Sequence, residues 1–291
     1  MIGKKIADLI MCPNKQTFGG TIKTLEEQGF SDAVSDYFDK WDKTRFRVKS
    51  NGIYIMGEYV KNPAAGNPGK VMVICHGQGA TRAYDICYGK IFYDMGFHLV
   101  LFDERSFGET GGKYCTLGWK EHNDIKEILK FTRSVFGDEA ILGMHGESMG
   151  AASALLLLDT EKPDFVIADC PFADLGLLID ELSKKYAGIL GPFGAWRARQ
   201  IGLKRCGFDY RAVRPIDSVI KSKVPICFIH GTSDTLIDCK HSNFMYKASR
   251  NPLNEIHFVK GAEHAQSRET NPEEYGKICR AFVEKVLNSI K

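Results

Sequence analysis

The segment Gly146-Glu147-Ser148-Met149-Gly150 sets a serine between glycines two residues away on each side. An apolar run, Ile141-Leu142-Gly143-Met144, enters it, and an alanine-rich stretch, Ala151 to Leu158, leaves it. This pattern predicts a sharp turn from a strand into a helix, with the Ser148 hydroxyl lifted into the open. A Cβ at Gly146 or Gly150 would collide where the chain doubles back. A helix starting at Met149 brings its unpaired amides and positive dipole end close to the serine oxygen, which suits a negative charge developing on a substrate. A serine hydroxyl attacks a carbonyl poorly near neutral pH. It needs a base in hydrogen-bond reach, and the base needs a group to fix its tautomer and stabilise the imidazolium. Ser148, Asp234 and His264 supply these in the order Ser…Asp…His expected for a serine on such a turn.

Eight histidines compete for the role of base. His76, His145 and His230 sit beside strand ends and glycines, where a structural hydrogen bond suffices. His98 and His257 fall inside strands, and His122 and His241 on or near helices. Only His264 follows the last strand by a flexible approach, Gly261-Ala262. Among the acids, Asp217, Asp238 and Glu263 are rivals of Asp234, and Asp238 reads as a helix cap. An oxyanion formed on attack needs two donors placed beforehand. One expected donor is the Met149 amide. The other is Gln78, in His76-Gly77-Gln78-Gly79, where two glycines let the backbone turn its amide inward.

The elements that must position these residues follow a repeating pattern. Arg45 to Lys49 and Ile53 to Val60 read as strands around Ser50-Asn51-Gly52, a hairpin signal. Val71 to Cys75 is apolar without alternation, as in a strand buried on both faces. Further strands are expected at Phe97–Phe102, Phe165–Ala168, Pro225–Ile229 and Ile256–Val259, with helices between them and a closing helix over Pro272–Ile290. Strands alternating with helices predict an α/β architecture, a parallel sheet covered on both faces. Residues 1–45 read as a helical extension, with Ala33, Val34, Tyr37, Phe38 and Trp41 at helical spacing and packed on the chain's own domain. Residues 171–218 interrupt the alternation. Leu175, Leu178, Ile179, Leu182 and Tyr186 form one helical stripe, a Gly-Pro joint follows, and a basic helix is expected over Ala195–Lys204. An insertion there sits over the C-terminal strand ends, where such sheets bind ligands, and reads as a helical cap. The core is then 46–170 with 219–291. Phe193 and Trp196, with Phe208 and Tyr210, are candidates either to line an acyl or aromatic pocket or to form the cap's own small core.

Five segments together carry a resemblance: His76-Gly77-Gln78-Gly79, Asp103-x-Arg105-x-x-Gly108, Gly146-Glu147-Ser148-Met149-Gly150, His230-Gly231-Thr232-x-Asp234 and Gly261-Ala262-Glu263-His264. Over about residues 45–291 the chain resembles an α/β-hydrolase, and within that superfamily the bacterial capped serine hydrolases related to monoacylglycerol lipases and serine aminopeptidases. The resemblance implies an eight-stranded, mostly parallel sheet, hydrolysis of an ester, thioester or amide through an acyl-enzyme, and no metal or organic cofactor. The Asp103 loop departs from it, with Ser106-Phe107 where many relatives have Gly-His, so a differently shaped pocket is expected there.

Composition narrows the class. Of 291 residues, 44% are hydrophobic and 26% charged, ordinary for a globular protein, and the net charge of +3 gives no reason to invoke nucleic acid. No run is long enough to span a bilayer. Nine cysteines include no Cys-x-x-Cys pair and several fall in apolar strands, which reads as reduced core residues of a cytoplasmic protein. The expected activity is a serine hydrolase that cleaves a small-molecule carboxylic ester in a hydrophobic, capped pocket. The alternatives are a peptidase or thioesterase with the same residues, and a non-catalytic ligand-binding protein on the same fold. A serine rather than an aspartate on the turn argues against a dehalogenase.

Overall fold

The computed structural model describes residues 2–290. Its strands are β1 (Asp42–Ser50), β2 (Ile53–Lys61), β3 (Lys70–Cys75), β4 (His98–Phe102), β5 (Ile141–Glu147), β6 (Phe165–Asp169), β7 (Ile226–Gly231) and β8 (Glu255–Val259). Its helices are α1 (Ile2–Met11), α2 (Phe18–Glu27), α3 (Ser31–Asp39), α4 (Asp85–Asp94), α5 (Glu121–Phe136), α6 (Met149–Leu156), α7 (Leu175–Ala187), α8 (Gly191–Cys206), α9 (Pro215–Lys221), α10 (Lys240–Ala248), α11 (Ser267–Thr270) and α12 (Pro272–Ile290). The strands form one open sheet in the order β1-β2-β4-β3-β5-β6-β7-β8. The β1–β2 and β2–β4 pairs are antiparallel and the remaining pairs parallel. This is the α/β-hydrolase fold, an eight-stranded, mostly parallel sheet with helices on both faces.

The unalternating strands explain the two-layered core. On β3, Met72 and Ile74 point to one side, where α2, α3, α4 and α12 bring Leu25, Tyr37, Phe92 and Phe282. Val71, Val73 and Cys75 point to the other, against Ile128, Leu155 and Met245 of α5, α6 and α10. The β1–β2 hairpin closes through Asn51 (φ 43°) and Gly52 (φ 82°), the left-handed pair that an Asn-Gly turn requires. α3 packs on the domain as its spacing predicts: Ala33, Val34, Tyr37 and, just beyond it, Trp41 are buried, while Phe38 remains exposed.

Three boundaries differ from the sequence expectation. The first strand begins at Asp42 rather than Arg45. The basic helix begins at Gly191, not Ala195, because Pro192 stands in its first turn, where a missing N–H costs nothing. The expected break at residue 218 falls inside α9, which buries Pro215, Ser218 and Val219 against the sheet-covering helices. The segment between β6 and β7 therefore separates into α7 and α8, which stand away from the sheet, and α9, which belongs to it.

α1 packs lengthwise on α8, and small residues allow the approach: a Cβ on Gly3 would overlap the Cβ of Arg197, and one on Gly194 would come within 2.9 Å of Ile6 Cδ1. Overpacking such a contact typically costs about 1–3 kcal/mol. Gly194→Leu is therefore expected to displace α1, seen as limited proteolysis within residues 2–16 accelerated by about tenfold while the core melts within a few degrees of the parent.

Candidate active site

The turn between β5 and α6 holds Ser148 at φ 52°, ψ −111°, a left-handed conformation that is costly for any residue with a side chain. Sterics keep it there. A Cβ on Gly150 would overlap the Cys75 carbonyl of β3, and one on Gly146 would overlap the α6 backbone at Gly150 and Ala151. The Ser148 amide donates to the Asp169 carbonyl at the end of β6 (2.8 Å), fixing the turn to the neighbouring strand.

Ser148, Asp234 and His264 meet beyond the C-terminal ends of β5, β7 and β8. Ser148 Oγ lies 2.9 Å from His264 Nε2, and His264 Nδ1 lies 2.7 Å from Asp234 Oδ2. The other carboxylate oxygen of Asp234 accepts the Leu236 and Ile237 amides at 2.9 and 2.8 Å. His230 Nε2 stands 3.2 Å from Asp234 Oδ2 and donates also to the Ile237 carbonyl (2.8 Å), while its Nδ1 accepts from Ser242 (2.7 Å). Burial by itself would raise the Asp234 carboxyl; hydrogen bonds from His230, His264 and the Ile237 amide outweigh it and hold the group below the usual carboxylate range. A hydroxyl, an imidazole and a fixed carboxylate in this order form an arrangement suited to nucleophilic attack on a carbonyl.

The other histidines are tied up structurally. His76 donates to the Gly77 carbonyl and accepts the Glu104 amide, His145 bonds the Tyr275 hydroxyl, His98 accepts the Asn62 amide, and His122 donates to the Gly118 carbonyl. His241 accepts the Ala173 amide and faces Glu181, and His257 bonds Glu255. Of the rival acids, Asp238 caps the Lys240 amide (2.8 Å), and Asp217 pairs with Arg214. The atoms of Cys170, Asp234 and His264 lie within 4.8 Å of one another, as do those of Cys227, Glu255 and His257. In the first group the nitrogen and oxygen atoms are engaged in the Ser–His–Asp chain; in the second, Glu255 is also paired with Lys285.

Ser148, Met149 and Gln78 share the wall of a cavity of about 680 Å³. Among the described residues, neither the Met149 nor the Gln78 amide has an acceptor within the chain. The Gln78 side chain donates to the Leu9 and Ile10 carbonyls at 3.3 and 2.8 Å, fastening the end of α1. Most of the remaining wall is α1 (Ile2, Ile6, Leu9), the inner stripe of α7 (Leu175, Leu178, Ile179, Leu182) and Leu236-Ile237, with Lys5, Ser183 and Tyr186 adding polar atoms. Phe193 and Trp196 do not line it. They lie 58% and 50% exposed on the outer face of α8, because its inner face is occupied by glycine and alanine against α1 and α7. Phe208 and Tyr210 are buried in the small core that α7 and α8 form with Met11 of α1 and Ala152 of α6. Phe107, on the departing loop, packs edge-on to His76 and against Met149, supporting the turn from behind. The role of α1 was not read from the sequence. Its signal was the apolar spacing Ile2, Ile6, Leu9 together with the unusual run of small residues in α8.

Behind the turn lies a group of buried ionisable residues. Tyr88 donates to Glu147, Tyr84 donates to Glu269, and Arg268 pairs with Glu269 while stacking over Tyr88 and Phe30 at 4.2 and 4.5 Å. Burial, then the charge of Glu269, pushes Glu147 up to about 8 and Asp169 up to about 7.

This fold and site define a serine hydrolase of the α/β-hydrolase superfamily. Its chain belongs to the prolyl oligopeptidase family (Peptidase_S9), whose profile matches residues 88–289. It is 29% identical over 297 residues to the uncharacterized protein YqkD of Bacillus subtilis (strain 168), covering 99% of this chain and 94% of that one. The Pyrococcus furiosus esterase Pf2001 superposes with a TM-score of 0.69 at 22% identity, covering 86% of this chain and 93% of the esterase. The acylaminoacyl peptidase of Pyrococcus horikoshii superposes with a TM-score of 0.62 at 18% identity, covering 85% of this chain and 42% of the peptidase. At these identities the two structures speak for the fold.

Two outcomes are expected. Gly150→Ala forces the turn away from β3, lowering stability by about 2–4 kcal/mol in denaturant unfolding. The second concerns pH. A carboxyl with a raised value holds its proton more tightly in the folded chain. Its stabilisation is therefore complete below the ordinary glutamate value of 4.5 and is lost as pH rises through about 8. Melting temperature should fall between about pH 5 and pH 8.5, and Glu147→Gln should flatten that fall; an unchanged slope in the variant would contradict the assignment.

Proposed function

We propose that the protein hydrolyses carboxylic esters with apolar acyl groups through an acyl-enzyme. Ser148 attacks the carbonyl, His264 takes the proton and returns it to the leaving alcohol, and Asp234 holds the imidazole and balances its charge. The Met149 and Gln78 amides receive the oxyanion. α7 and α8, joined by α1, act as a cap over the site. The observation that carries this reading is the hydrogen-bond chain from Ser148 to Asp234 beside a mostly apolar cavity. The esterase among the similar folds agrees with it. The unpaired cysteines, most of them buried, support work in a reducing compartment such as the cytoplasm.

A second reading, a peptidase acting by the same steps, draws support from the family to which the chain belongs. Against release of an amino-terminal residue stands the lining, which among the described residues holds no carboxylate to grip a free ammonium group. Rates on an oxygen ester, a thioester and an amide of one acyl group separate the readings, and the ester should be fastest.

Ser148→Ala should abolish turnover of a short p-nitrophenyl ester and labelling by a fluorophosphonate while the melting temperature is kept. Asp234→Asn should lower kcat by on the order of a thousandfold or more by stabilising the wrong tautomer. Each methylene that enters the apolar wall is worth about 0.8 kcal/mol, so kcat/KM should rise about fourfold per added carbon until the cavity is filled. A flat or falling series would point to a non-acyl role for the cavity. Failure of the probe to label Ser148 would favour a ligand-binding protein instead.

A further inference from the structure

α8 is patterned inside out. Gly191, Gly194, Ala195, Ala198 and Gly202 are buried, while Phe193, Trp196 and Leu203 face outward. Ordinary amphipathic helices do the reverse. The short turn before α8 adds Ile189, 97% exposed, and Leu190, 59% exposed. The Phe193 and Trp196 rings lie 5.8 Å apart, so the apolar patch is continuous across the first turns of the helix.

The segment that carries this patch is basic, although Glu181 and Asp209 flank it and Asp8 of α1 lies against it. Residues 182–208 contain six basic side chains and no acidic one. Arg199 and Arg205 are paired, with Asp209 and Asp8. Lys184, Arg197 and Lys204 are exposed and, among the described residues, have no carboxylate partner. Tyr186 and Ala187, immediately before the patch, line the cavity that holds Ser148. The patch is thus continuous with the cavity rim.

We propose that this face docks on an anionic phospholipid bilayer, so that the cavity receives its acyl chains from the membrane surface rather than from water. Aliphatic and aromatic side chains enter the boundary between headgroups and acyl chains, and the unpaired cations meet the phosphates. An exposed tryptophan beside basic residues suits that boundary. Among the described residues no helix is long and apolar enough to cross a membrane, so the contact is peripheral. The purpose of docking rests on the ester-hydrolase reading; docking itself does not require turnover.

The test uses full-length Ser148→Ala protein and sedimentation with phosphatidylcholine vesicles, with or without about 30% phosphatidylglycerol. The protein should co-sediment with the anionic vesicles, lose most of that binding in about 0.5 M salt, and show a blue shift of emission that Trp196→Phe removes. Ile189→Ser/Phe193→Ser/Trp196→Ser, and separately Lys184→Glu/Lys204→Glu, should each weaken binding at least about tenfold. Made in the Ser148 parent, both variants should hydrolyse a water-soluble short ester within about twofold of the parent rate, which also shows that they fold. Equal binding to neutral and anionic vesicles, or binding unaffected by these substitutions, would overturn the proposal. So would a dimer, seen without lipid in sedimentation velocity, that the serine substitutions dissolve. Should vesicle binding hold while the parent hydrolyses no ester, docking stands and the esterase reading fails.

Discussion

Everything at the site follows from one strained turn. Ser148 keeps a left-handed backbone because β5 and α6 close on each other at Gly146 and because α6 comes down on β3 at Gly150. The strain is held by backbone overlap rather than by any single strong bond, so it cannot relax without moving a central strand. From this turn come the exposed hydroxyl, the start of α6 with its unsatisfied amide at Met149, and the edge on which His264 and Asp234 converge.

The charges around the turn divide into two environments. On the cavity side, Asp234 is ionised because two backbone amides and two histidines bond to it. On the far side, Glu147 and Asp169 are held towards the neutral form by burial, against Arg268 and its aromatic stack. Two carboxyl populations a few residues from the same serine thus carry opposite preferences, set by how many donors face each.

The core was legible because its strands are buried on both faces and its turns use glycine where the backbone needs it. Val71 to Cys75 and Asn51-Gly52 each report a local requirement. The turn at Ser148, and Asp234 and His264 after β7 and β8, were legible for the same reason: each belongs to a strand-end turn that can be read from a few neighbouring residues. The cavity wall was not. Whether Phe193 and Trp196 face inward depends on what occupies the opposite side of α8, and that is α1, remote in sequence. The stripe Leu175, Leu178, Ile179, Leu182 was visible as a helix face, yet periodicity alone does not say whether such a face meets a core or an empty space. His230 likewise reads as an ordinary strand-end histidine until Asp234 is seen beside it.

The seating of α1 on α8 also bears on how the molecule is made. During synthesis, α1 leaves the ribosome about 190 residues ahead of the helix it packs against. Until then Ile2 and Ile6 lack their contact with Gly194, and the chain carries this apolar segment through the assembly of the central strands, held only at its far end by Gln78. Closure of this contact has high sequence separation and a correspondingly large loop entropy to overcome. The strands through β6 and the strained turn at Ser148 can therefore form while the vault beside them still lacks one side, whereas Asp234 and His264, which follow α8 in the chain, join the serine only after that wall has been synthesised.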